Sequence, residues 1–447
     1  IVELVDVWNQ SLDDACRRRA SAVPSRALSD LLDRLAYTLT AGQELSDFLL
    51  SEQDVIIQNY ATIYEGALDN LEVMKDLYLS MILSMTFGLV FAVILPILTG
   101  TNPAVMVAAV LLLFLIVQLG FTYIIYKITP YDPIWYLPTG YTPRNEPGYR
   151  RSLVIGAVGC LGLVGLLAGE FAGVWPIGLA DVLPVSVVPL PIYAVLPLTP
   201  LVLPGLVMRQ AERSIKERDA EFPSFIRALG AAEDAKQTTT VDVLTDLRKK
   251  DFGSLTTDIQ HLYKRLNMRI EPAKAWRYFA ADTQSYLIQK FSEMYLIGRQ
   301  MGGNPKRLGE LISQNMNEVL QLREQRDQGT ITLIGLLYGI SAAATFAFFM
   351  GLEVVQILAG MSLPATTTAS SSFDVNQLLF TGQYDVPLVE FMLILVILAN
   401  ALISSIMVRV VDGGHPANAY LHFVALSWIS AIVAVVTRAI VSAFLVI

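Results

Sequence analysis

The sequence predicts an all-α polytopic membrane protein of about seven transmembrane helices, with two related helical-bundle units on one side of the bilayer. Three observations predict it. The 447-residue chain is 54% hydrophobic and only 16% charged, and its mean hydropathy is +0.51. Its apolar runs are continuous and long, and roughly 20 helical residues cross a hydrocarbon core of about 30 Å. Of its 32 basic residues, 31 fall in alternate connections and polar segments. A bilayer centre offers free backbone groups no partner, so helices are the default crossing, and a barrel would show short alternating segments instead.

Residues 1–76 read as a first polar helical unit. Residues 1–78 hold 14 acidic and 6 basic residues, a net charge of −8. The chain begins with Ile1 rather than Met, so a segment upstream is expected. Residues 77–208 read as four spans. Leu77 to Leu98 is the first, Thr99 to Pro103 a tight turn, and Ala104 to Tyr126 the second. A loop rich in Pro, Tyr and Arg covers 127–151. Leu153 to Val174 is a Gly-rich third span. The fourth, at about 188–208, carries Pro189, Pro191, Pro197, Pro200 and Pro204. Interior prolines break the helical ladder, so this segment is expected to be irregular or re-entrant.

Residues 209–329 form the second polar helical unit, with 20 basic and 17 acidic residues. Residues 330–447 supply three more spans: Thr330 to Gly360, Leu388 to Val408 and Leu421 to Val446. A Ser/Thr-rich loop covers 361–387, and Arg409 to Asn418 joins the last two spans.

Lys and Arg placement sets the orientation. The connections 99–103, 175–190 and 361–387 contain neither residue, although about six would be expected at the density of the other side. The N-terminus and 209–329 are therefore expected in the cytoplasm and the C-terminus outside, in a multi-pass protein of the cell membrane. A weak internal repeat accompanies this plan. Leu35 to Leu49 and Ile297 to Leu311 each read as a helix end, a turn and a second helix running toward a span, with Gly42 and Gly303 as helix-ending residues.

Motifs for chemistry are largely missing. Gly302-Gly-Asn-Pro-Lys306 lacks the second Gly and the Lys-Ser/Thr pair of a phosphate loop. No His-Glu-x-x-His occurs, and His261, His415 and His422 are scattered, so no metal or cofactor is expected. Cys16 and Cys160 fall in a polar and an apolar segment, which speaks against a mutual disulfide. Asp412, in Asp412-Gly-Gly-His-Pro416, with Asp132 as a partner, would suit an intramembrane aspartyl protease. The Gly-x-Gly-Asp order of such enzymes is absent, and a turn between two spans explains the same residues. Glu170, Glu353, Glu390 and Arg438 fall within or at the edges of apolar runs, where charge is expensive. Arg438 is expected to pair with Glu353 or Glu390. The rival reading is a secondary transporter with an outer-half Glu/Arg site. The clusters Arg248-Lys249-Lys250, Lys264-Arg265 and Lys306-Arg307 suit anionic lipid, an acidic partner or a solvated helix face. A net charge of +3 over 209–329 is far from a nucleic-acid footprint.

The stretch Glu221-Phe-Pro-Ser-Phe-Ile-Arg-Ala-Leu-Gly230, followed by Ala273-Lys-Ala-Trp276 and Tyr295-Leu-Ile-Gly-Arg-Gln-Met-Gly-Gly303, resembles the type II secretion system F superfamily. The resemblance is closest to the archaeal platform proteins of archaella and type IV pili. It implies a non-enzymatic scaffold beneath a growing filament. A cytoplasmic hexameric ATPase would contact its helices, pilin or archaellin subunits would be its cargo, and a homodimer beneath the filament axis is expected. By this analogy the ATPase contacts fall on the three basic clusters.

Overall fold

A computed structural model describes residues 1–42, 45–138, 148–171, 190–237, 239–360 and 385–445. The connection 175–189, the Ser/Thr-rich stretch 361–384 and the side chain of Glu170 lie outside them. Every regular element among the described residues is helical, and seven of these helices are long and apolar enough to cross a membrane. The chain is an all-α polytopic membrane protein. It divides into two units, Ile1–Gly66 and Ala67–Ile447.

The first unit holds α1 (Val2–Asp6), α2 (Leu12–Ala20), α3 (Arg26–Thr40) and the start of α4 (Leu45–Thr99). Ser11 and Ser25 cap α2 and α3 by accepting from the Asp14 and Leu28 amides, the role for which serine precedes a helix. Cys16 and Ala20 pack on Leu32 and Ala36. Arg34 reaches Glu52 on α4 at 2.5 Å. Cys16 and Cys160 are both free thiols.

In the second unit the expected first span is the apolar end of the much longer α4. Gly100, at φ +67°, turns the chain. Asn102 then accepts from the Ala104 amide, and Pro103 opens α5 (Pro103–Ile128), where no amide donor is needed. The third span is α6 (Tyr149–Phe171). The proline-rich fourth segment is irregular: a short α7 (Leu190–Val195), a 3₁₀ stretch (Leu196–Leu201), then α8 (Val202–Lys236). Prolines in the first turns of these pieces forfeit few hydrogen bonds. The glycines of α6 face them, since a Cβ on Gly159 would lie 2.9 Å from the Pro200 Cβ, and one on Gly156 3.2 Å from the Pro204 ring. The Gly-rich and Pro-rich segments are thus two sides of one close contact.

The stretch Leu190–Lys236 is far longer than a bilayer is thick. At about 1.5 Å per residue it spans roughly 70 Å, and its apolar part ends at Met208. Beyond the membrane, α9 (Thr240–Leu247), α10 (Thr256–Asn267), α11 (Pro272–Thr283) and α12 (Tyr286–Gln300) complete a bundle. Its core joins Phe222, Phe225, Phe279, Trp276 and Tyr295. The helix α13 (Pro305–Gly360) starts in this bundle and runs unbroken through the fifth span. The last spans are α14 (Val386–Asp412) and α15 (Asn418–Leu445).

One pattern occurs twice along the chain. A helix ends, a glycine takes positive φ, and a helix of 55 or 56 residues begins. The glycines are Gly42 at φ +71° and Gly302 at +84°. The second is one residue earlier than the Gly303 expected from sequence. Gly303 has another constraint, because a Cβ there would meet the Gly298 carbonyl at 2.8 Å.

Inside the membrane, Leu89, Val93 and Ile97 pack with Phe114, Phe349, Leu352 and Val396. Polar side chains cross-link the same helices. Gln118 donates to Asn400 at 2.6 Å and Asn400 to Ser341 at 3.2 Å, which joins α5, α14 and α13. The outward face of α6 keeps Val158 and Leu161 exposed, as a lipid-facing helix requires.

Candidate functional site at the membrane boundary

The most heavily built polar site lies where the spans enter the bundle. After α5 the chain runs extended through Pro130 and Pro133. It then pairs with the α11–α12 turn: Tyr136 donates to the Gln284 carbonyl at 2.8 Å and Tyr286 to the Ile134 carbonyl at 3.1 Å. Gln284 makes that turn possible by taking φ +57°. Ser285 caps α12, accepting from the Ile288 amide at 3.0 Å.

Arg323, on α13, gathers these pieces. Its Nε and one terminal nitrogen hold both oxygens of Asp132 at 2.7 and 2.5 Å, a bidentate pair. The other terminal nitrogen donates to Asp219 on α8 at 3.2 Å. The second Asp219 oxygen accepts from Ser285. One guanidinium therefore ties the α5–α6 connection, α8, the α12 cap and α13 together. Asp219 is fully buried outside the apolar part of α8. Burial pushes its pKa up to about 6, with the Arg323 charge opposing.

One turn further along α13, Arg326 donates to the Val411 carbonyl at 2.7 Å and lies 3.4 Å from those of Val410 and Pro130. It thereby satisfies the carbonyl end of α14. Gly413 is required beside it. Its φ is +78°, and a Cβ would sit 2.6 Å from the guanidinium. Glu212 completes the junction from α8. It accepts from the Trp135 indole at 3.0 Å and from the His415 amide and Asn418 side chain. Burial raises the Glu212 pKa and lowers that of His415.

Glu212, Asp219 and Glu233 are seven residues apart or a multiple of it, on one buried face of α8. Glu233 accepts from Arg299 at 2.9 Å and Tyr295 at 3.0 Å, and holds α12 in the same way. Burial and the Glu233 charge raise the Tyr295 phenol pKa. Sequence reading passed over these three acids and Arg323 and Arg326. The available signal was three acids at heptad register on one helix, interrupted only by Ile226, and two arginines three apart just before an apolar run.

The singled-out residues fall in different places. Arg438 reaches both Glu353 at 2.9 Å and Glu390 at 2.8 Å, so three spans share one ion cluster. Lys249, Lys250, Lys264, Lys306 and Arg307 are exposed. Arg248 stacks on Tyr263, 4.3 Å from its centroid, and Lys250 lies over Phe252. Arg265 is not a free surface cation: it is tied to the buried Asp282 at 2.5 Å. Asp132, weighed as a protease carboxylate beside Asp412, is neutralised by Arg323 instead. Among the described residues no group of three or more His, Cys, Asp or Glu is placed to hold a metal ion.

Comparison with known proteins finds relatives along the whole length of this chain. Flagella accessory protein J of Methanocaldococcus jannaschii is 35% identical over 444 residues, covering 98% of this chain and 76% of that protein. Flagella accessory protein J of Methanococcus voltae is 34% identical over 447 residues, covering 100% of this chain and 78% of that protein. The chain belongs to the flagella accessory protein J family. The resemblance to archaellum platform proteins of the type II secretion system F superfamily, carried by residues 221–303, agrees with this membership. No family profile matches the chain, and no solved structure does. In this member of the flagella accessory protein J family, the Arg323 junction is the point where the bundle is fastened to the spans.

Proposed function

We propose that this chain is a non-enzymatic platform that passes work from a cytoplasmic hexameric ATPase to archaellin or pilin-like subunits leaving the bilayer. Its family gives it an accessory or platform role in the archaellum. One observation carries the finer reading. Both α8 and α13 run unbroken from the polar bundle into the membrane, and buried ion pairs clamp them to the span-end connections. A force on the bundle therefore reaches the spans through rigid helices rather than loops.

In this reading residues 1–76 and 209–329 are the cytoplasmic units, the C-terminus is outside, and two copies sit beneath the filament. The ATPase docks on the exposed cations Lys249, Lys250, Lys264, Lys306 and Arg307, with Arg248 beside them. Membranes carrying the full chain with Lys249→Glu/Lys250→Glu or Lys306→Glu/Arg307→Glu should co-purify at least about tenfold less ATPase. Unchanged co-purification in both variants would refute docking there.

A further inference from the structure

A cavity of about 710 Å³ opens between the α5–α6 connection and the α14–α15 turn, within the range typical of small-molecule sites. Two spans end at it, α5 at Ile128 and α14 at Asp412, so it lies at headgroup level on the bundle side. Tyr126 and Tyr131 line it and are 62% and 92% exposed, the aromatic signature of a membrane interface. Lys127, Arg326 and Arg409 line it. None of the three lies within 4 Å of a described carboxylate, as Arg326 spends its donors on carbonyls and the buried Arg409 Nε has no partner among the described residues. Asp132 is the carboxylate among the described lining residues, and Arg323 holds both its oxygens. Glu212 and Asp412 act on the Arg409 charge through space, but they line a neighbouring cavity and form no ion pair with it within 4 Å among the described residues.

A buried guanidinium nitrogen without a hydrogen-bond partner, such as the Arg409 Nε, is unfavourable, and the planar donors of arginine match phosphate oxygens. The walls beside them, including Trp135 and Val410, are apolar. We propose that this cavity binds the phosphate headgroup of an anionic membrane lipid. The shared chemistry is a phosphate oxygen on Arg409 and Lys127 with the Arg326 charge beside them, and the interfacial rim selects lipid over free phosphate. The site is independent of any ATPase contact.

The test is thermal unfolding of the purified full chain in neutral detergent, titrated with phosphatidylglycerol, phosphatidylcholine or inorganic phosphate. Phosphatidylglycerol should bind at least about tenfold more tightly than phosphatidylcholine. That preference should fall to about unity in Lys127→Gln/Arg409→Gln and persist in Lys249→Gln/Lys250→Gln. Equal affinity for the two lipids, a preference retained in Lys127→Gln/Arg409→Gln, or full stabilisation by inorganic phosphate alone would each overturn the proposal. Lys127 is exposed, so Lys127→Gln alone leaves the packing intact; it should weaken phosphatidylglycerol about threefold or more, and no change would count against the site.

Discussion

Replacing Arg323 by Leu removes the cation from a site where its side chain is 11% exposed and its partners Asp132 and Asp219 are 8% and 1% exposed. Two carboxylates are left facing one another without compensation. Removing one partner of a buried pair costs about 3–5 kcal/mol. Pairs that bridge separate elements leave little room for relaxation, so the upper half of that range is expected. For a cooperative unit of more than 250 residues this corresponds to a melting shift of roughly 5 °C. The assay is tryptophan fluorescence of the full chain in detergent during heating at pH 7.5. Because Asp219 takes up a proton readily, the deficit should shrink when the measurement is repeated at pH 5. The triple variant Arg323→Leu/Asp132→Asn/Asp219→Asn should recover most of it, since the uncompensated charges are then gone. A loss below about 1 kcal/mol at pH 7.5, or a deficit equally large in the triple variant, would refute the view that Arg323 acts as a charge clamp.

Two further outcomes follow from buried charge. The Asp219 pKa is raised in the folded chain from 3.8 to about 6, so the folded state binds the extra proton. Its contribution to stability is fully present below pH 4 and is lost as pH rises through 6, about 3 kcal/mol in all; Asp219→Asn should flatten urea midpoints across pH 4–7, and an unchanged slope would sink the assignment. In the spans, Arg438→Gln strands Glu353 and Glu390 and should lower the melting temperature by several degrees, while adding Glu353→Gln and Glu390→Gln restores most of it; no recovery in that triple variant would mean that the three side chains serve another purpose.

The sequence alone determined the membrane class and the apolar runs that become seven membrane-length helices among the described residues, because each depends on the local balance of apolar and charged residues. It also anticipated that the proline-rich stretch is irregular, since the missing amide donors act within one helical turn. Even the Arg438 cluster was half legible, because a lone cation in hydrocarbon needs a carboxylate and only a few were at the right depth. Tertiary structure decided the rest. That Gly156 and Gly159 exist to admit Pro200 and Pro204 is a contact between separate segments. That Asp132 answers to Arg323, 191 residues away, rather than to Asp412 depends on how α13 passes the α5–α6 connection. Arg265 reads as part of a basic patch and is held instead by a buried aspartate. Residue type set which charges were present, and only the packing of α8 against α13 set which of them lost their water and therefore needed a partner.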